Sequence, residues 1–156
     1  MEIILAEIVE RLGAMHHAME KAIADLPDEA LDWSPGPEMN SLGVLMTHTL
    51  GSTRFWVGDV AGSDPSGRVR EAEFRTEGVS AAALIAHSNE VFAHSQSLLS
   101  RLPLTELDNI RKVPNSDREV TVAWAILHAL EHAAQHVGHM EITRQLWDTH
   151  QAGRGE

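Results

Sequence analysis

Apolar residues recur along this chain at spacings of three and four, and four segments carry the pattern. In the first, Leu5, Ile8, Leu12, Met15, Met19, Ala22 and Leu26 line one face of a helix. Pro27 and then Trp33-Ser34-Pro35-Gly36-Pro37 stop it. A second helix, capped by Asn40 or Ser41, runs through Leu45, His48, Phe55 and Trp56 to about Val60. The third begins near Ser80 and carries two adjacent stripes, Leu84-His87-Val91-His94-Leu98 and Ile85-Ser88-Phe92-Ser95-Leu99-Leu102, before Pro103 ends it. The fourth starts near Thr121 and runs to about His150, with the tail from Gln151 to Glu156 expected to fray.

The connections are unequal. Residues 61–79 are polar, hold Gly62, Pro65, Gly67 and Gly78, and read as a long crossover or a lid. Before the last helix, Pro114-Asn115-Ser116-Asp117 separates two β-prone flanks, 110–113 and 119–122, which predict a small hairpin. There is no sustained strand alternation and no repeat. The elements predict an all-α fold, a four-helix bundle with long crossover connections, in which residues 1–156 form a single domain.

Composition narrows the function. Twelve basic residues against 23 acidic ones give a charge of −11, so nucleic acid and anionic membrane are not expected partners. With no cysteine the chain has no thiolate nucleophile and no Cys-ligated metal, so any thiol must arrive with a ligand. Met1-Glu2-Ile3-Ile4-Leu5-Ala6-Glu7 has acids where a signal peptide has a basic start, and no apolar run approaches the roughly 20 residues that span a bilayer. A cytoplasmic protein is expected. The unusual feature is histidine, ten in all, with four between His128 and His139.

At about 100° per residue, with Ala123 at zero, Leu127, Leu130, Ala134 and Val137 fall within roughly 40° of it. His128, His132, His136 and His139 fall about 140° to 220° round, on the opposite side. The histidine face is expected to point into the bundle and the leucine face to find separate cover, most simply in a homodimer. The alternative is that one of the long connections folds over it.

His132 and His136, four apart, stack on one helix face and can aim two imidazole nitrogens at one ion. A bundle can add a third ligand from a facing helix. His48 is the leading candidate, because Val44, Leu45, Gly51, Ser52 and Phe55 surround it on its wheel and place it inward. Three neutral histidines with open positions make a catalytic type of metal site. A rival reading takes His128-Ala129-Leu130-Glu131-His132 as the H-x-x-E-H of an inverzincin peptidase, but it leaves His136 without a role. His16 and His17 are adjacent and diverge, while His87 and His94 read as core-edge residues.

Three stretches together resemble the DinB/YfiT-like family of bacterial four-helix-bundle proteins. They are Trp33-Ser34-Pro35-Gly36-Pro37 with Asn40-Ser41-Leu42-Gly43, then His48-Thr49-Leu50 with Phe55-Trp56, and last the run from His128 through His132, His136 and Gly138 to His139. The resemblance implies a divalent metal, nickel or zinc, on His48, His132 and His136. It gives His128 a supporting role beside the ligands, with Glu131 and His139 as further orienting groups or bases. The ending Val137-Gly138-His139 departs from the family's commoner Arg-Gly-Gln and is closer to the Gly-His branch that includes mycothiol-dependent relatives.

The resemblance further implies a thiol S-transferase that uses an external low-molecular-weight thiol as cosubstrate on a small-molecule substrate. Trp33, Phe55 and Trp124 would be pocket walls, and Arg54 and Arg144 the cations for the thiol's carboxylates. The alternatives on the same scaffold are a non-catalytic metal-binding or stress-response protein and a metal-dependent hydrolase.

Overall fold

A computed structural model describes residues 2–154; Met1, and the expected fraying of Gly155 and Glu156, lie outside them. The apolar stripes become helices α1 (Ile3–Ile23), α3 (Leu42–Thr53), α5 (Ala81–Leu99) and α6 (Val122–Ala152), with two short helices, α2 (Asp28–Asp32) and α4 (Arg70–Glu73), in the connections. α3 continues as a π-helical stretch, Arg54–Ala61. Three predicted starts are capped by side chains, with Ser41 accepting from Val44 N–H, Ser80 from Ala83 N–H and Thr121 from Trp124 N–H. The hairpin also forms, β1 (Ile110–Lys112) pairing antiparallel with β2 (Glu119–Thr121), with Asn115 at positive φ in its turn. α6 runs on through Gln151 and Ala152, where fraying was expected.

The two halves of the core give the helix directions. Leu5 and Ile8 of α1, Val57 and Val60 after α3, Leu99 of α5 and Val122 to Ala129 of α6 pack together at one end. Met19 and Ile23, Leu42 to Leu50, Leu84, and Val137 with Met140 pack at the other. α1 therefore runs parallel to α6, and α3 runs parallel to α5. Parallel consecutive helices need a connection as long as the bundle. α5, at 19 residues, spans roughly 28 Å, and the polar segment 62–80 is the strap that covers that distance. It passes over α3 and brings α4 against it, which positions the functional site.

One expectation is corrected. The core face of α6 is Val122, Ala125, Ile126, Ala129, Ala133, Val137, Met140, Thr143 and Trp147. The histidines, expected to point into the bundle, instead border the core, with His132 and His136 half-buried. Of the stripe Leu127, Leu130, Ala134 and Val137, only Val137 is buried, and Leu127 is 56% exposed. The alanines explain the rotation, because their small side chains let α6 approach its neighbours closely. Among the described residues no connection folds over Leu127 or Ala134. Among the described residues no helix is long and apolar enough to cross a membrane.

Candidate metal centre

His48 projects from the middle of α3, and His132 and His136 from successive turns of α6, so two helices bring the three rings together. Ring centroids lie 5.0 Å apart for His48–His132, 5.2 Å for His48–His136 and 4.4 Å for His132–His136. Each ring offers a nitrogen, and the three nitrogens lie within 4.8 Å of one another. Around an ion with bonds of about 2.1 Å and tetrahedral angles, the donors would sit about 3.4 Å apart, so a small inward movement completes a shared coordination.

The electrostatics suit a cation. Burial, reinforced by the mutual influence of His136, His48 and His128, pushes the His132 pKa down to about 3. Burial and then His48 and His139 push His136 down to about 4. Both rings are neutral at pH 7 and carry free lone pairs. His132 Nδ1 is buried with no hydrogen-bond partner, an orphan of the kind a bound group relieves. Three converging imidazoles are the donor set that zinc and nickel accept, so the residues fit such an ion.

The other sequence candidates fall at different distances from the triad. His128 stands one turn before His132, stacked on Trp124 (centroids 4.6 Å, 18° between planes) and edge-on to Trp56 at 4.9 Å. Its pKa is lowered, burial being the main cause. His139 meets His136 through their Nδ1 atoms at 3.3 Å. Glu131 is exposed, with Oε2 3.9 Å from His128 Nδ1, too far for a hydrogen bond. The inverzincin register is not the one assembled, since His136 rather than His128 joins His48 and His132.

A pocket of about 420 Å³ opens beside the triad, lined by His48, His132 and His128 with Ser52, Phe55, Trp56, Arg68, Arg70 and Asn115. Phe55 is a wall, as expected, and Trp124 backs His128. Trp33 is not a wall. It packs on Trp147 and His150 near the far end of α6. Arg144 is bound to Asp25 and Asp148, and Arg54 to Asp59 and Asp64, so neither expected cation faces the pocket. A larger groove of about 920 Å³ between α1 and α6, floored by Ala14, Ala18 and Ala22, contains none of the three histidines.

The cations that do face the pocket come from the strap. Arg68 lies 5.4 Å from the Phe55 ring and Arg70 4.8 Å from the Phe74 ring. Glu73 of α4 accepts from His48 Nδ1–H at 2.8 Å and from both Nε and Nη2 of Arg68. Burial works to raise the Glu73 pKa, but the hydrogen bonds from Arg68 and His48 outweigh it and hold the carboxyl below the usual glutamate value. Sequence reading missed these strap residues. No local pattern separates Glu73 from Glu71 or Glu77 in a polar connection.

Residues 11–140 match the family model of the DinB superfamily. Among solved structures, the fold is similar to a conserved protein of Enterococcus faecalis, with TM-score 0.79 and 19% identity over 94% of this chain and 97% of that one. It is similar to a DinB-like protein from Bacillus cereus, with TM-score 0.73 and 18% identity over 94% and 91%. It is also similar to YfiT from Bacillus subtilis, with TM-score 0.73 and 14% identity over 93% and 89%. YfiT is described as a probable metal-dependent hydrolase with an unusual four-helix bundle topology. No curated protein matches the chain.

Proposed function

This chain belongs to the DinB superfamily, and from that premise we propose that it is a metal-dependent enzyme acting on small molecules with an external low-molecular-weight thiol. The observation that carries the reading is the convergence of His48, His132 and His136 beside an accessible pocket. These three residues are the ligands in this reading, with nickel or zinc as the metal. A closed site would suit a purely structural ion, and a pocket of about 420 Å³ suits a substrate.

When bound, such a metal lowers the pKa of a coordinated thiol or water and so supplies a nucleophile at neutral pH. The chain's own groups do the rest. His128, neutral because burial lowers its pKa, is placed to accept the proton that a thiol or water gives up. Arg68 is taken up by Glu73, and Glu71 also lines the pocket, so Arg70 is the cation there that can receive a ligand carboxylate, such as those of glutathione and bacillithiol. Phe55 and Trp56 exclude water from one side.

Metal-dependent hydrolysis is the second reading, favoured by the description of the similar YfiT; it uses the same ligands. A non-catalytic metal-binding role in stress response is the third. Self-association through the uncovered side of α6 belongs to the same proposal.

The test is elemental analysis of purified protein, followed by thermal-shift measurement with glutathione, bacillithiol and mycothiol. His48→Ala, His132→Ala and His136→Ala should each abolish stoichiometric metal, while His128→Ala only weakens its binding. A stabilisation that needs metal and thiol together supports the transferase reading. A thiol-independent shift with metal-dependent ester or amide cleavage replaces it with the hydrolase.

A further inference from the structure

Glu73 is the carboxylate best placed to govern the triad. It is buried, although it belongs to the strap rather than to a bundle helix. Its Oε2 accepts from His48 Nδ1–H at 2.8 Å. Arg68 takes both carboxylate oxygens, Nε donating to Oε1 at 2.6 Å and Nη2 to Oε2 at 2.8 Å. A carboxyl gripped in this way by a guanidinium is a carboxylate, with no proton to donate. His48 must therefore donate through Nδ1–H, and in the neutral ring that leaves the lone pair on Nε2.

The backbone of α3 is cleared for this contact. Position 51, one turn after His48, is glycine, and a Cβ there would overlap Glu73 Oε1. Phe74, the next residue of the strap, rests its ring 4.7 Å from the His48 ring. A charge-assisted bond, a ring contact and a missing side chain thus converge on one imidazole.

We infer that Glu73, held by Arg68, is a positioning residue that fixes His48 in its Nδ1–H form with Nε2 as the ligating atom, and that it couples metal affinity to docking of the 62–80 strap. The inference rests on the reading of His48 as a ligand. A carboxylate behind a ligating histidine sets its tautomer and raises its basicity, and losing such a partner costs about 10–100-fold in metal affinity. Binding linkage is reciprocal, so the metal holds the strap down by the same factor that the docked strap adds to its affinity.

Two readouts test this. In the metal-free protein, nitrogen-15 NMR of the imidazole rings should show His48 as the Nδ1–H tautomer, relaxing to a mixture in Glu73→Ala. Calorimetric titration with zinc at fixed pH should show Glu73→Ala weaker by 10–100-fold and Glu73→Gln in between, because glutamine still accepts from His48 but cannot satisfy Arg68. Zinc should slow proteolysis within residues 62–80 of the wild type and not of Glu73→Ala. If Glu73→Ala fails to fold, Gly51→Ala displaces the carboxylate while keeping every ligand, and the same loss is expected. An Nε2–H tautomer at His48 in the wild type, or unchanged zinc affinity in the folded variant, overturns the inference. A wild type with the Nδ1–H tautomer that binds no zinc overturns the metal reading and leaves the positioning role of Glu73 standing.

Discussion

His16 shows what burial does to an imidazole that has no acid beside it. It sits in α1, 2% exposed, hydrogen-bonded through Nδ1 to Ser88 Oγ at 2.9 Å and packed against Phe92. Burial, opposed in part by the bond to Ser88, lowers its pKa to about 4. Above pH 6.5 the ring is neutral in both native and unfolded chains and contributes no pH dependence. Between pH 6.5 and about 4 the unfolded chain takes up a proton that the native one refuses, so stability falls with pH, by about 3 kcal/mol in all. Below about 4 both states are protonated and this loss stops. Urea unfolding at pH 7 and pH 4.5 should therefore show a smaller stability difference in His16→Gln than in wild type, by about 2 kcal/mol. Equal acid sensitivity in the two proteins would refute this account. His132 and His136 have depressed values for the same leading reason, but they converge with His48 where a cation can use the neutral rings, whereas His16 faces packed core.

The strap is held at its start by a network of side chains rather than by apolar packing. Asp59 accepts from Ser66 N–H and Ser66 Oγ, both at 3.0 Å, and from Arg54. Arg54 also bonds the backbone oxygen and the carboxylate of Asp64, which meets His94 Nε2 at 2.7 Å. Single exposed ion pairs contribute little, but Asp59 is nearly buried and serves three donors. Asp59→Ala should speed amide exchange across residues 64–69 several-fold, leave α1 unchanged, and weaken zinc binding through the loosened Arg68–Glu73 pair. Unchanged exchange at Ser66 would show that the network does not restrain the strap. The same element marks the limit of reading from sequence. The helix starts near Ser41, Ser80 and Thr121 and the hairpin around Asn115 were legible because their chemistry is local. The His132–His136 pair was legible because four-residue spacing defines a helix face. The grip of Glu73 on His48 spans 25 residues and has no local signature. The leucine face of α6 lies outside the core as expected, but the buried face was placed part of a turn off, because that helix is apolar nearly all round and pattern cannot show that its alanines are what pack.

At the scale of the whole molecule, the topology leaves one side of the longest helix bare. With α1 parallel to α6 and α3 parallel to α5, the strap is drawn across α3 and the hairpin stays at the end of the bundle where α6 begins. Neither reaches the outer side of α6, where Leu127, Ile142 and Leu146 are 56%, 55% and 40% exposed and Ala134 lies between them. Leu127 and Leu146 are 19 positions apart, roughly 28 Å along the axis and about 100° round it, so the uncovered strip slants across the helix with Glu131, Gln135 and Gln145 exposed among its apolar residues. A second copy of the chain is a suitable cover, because a two-fold axis sets this strip against itself and buries it isologously. Light scattering at tens of micromolar should then report a dimer for the wild type. Leu127→Glu should convert it to a folded monomer, because an exposed position accepts a charge without cost to the core. Leu130→Glu is the poorer probe, since that side chain is half-buried and its loss would mix unfolding with dissociation. A wild type that is monomeric at those concentrations, or a Leu127→Glu variant that remains dimeric, rules out this face as the interface.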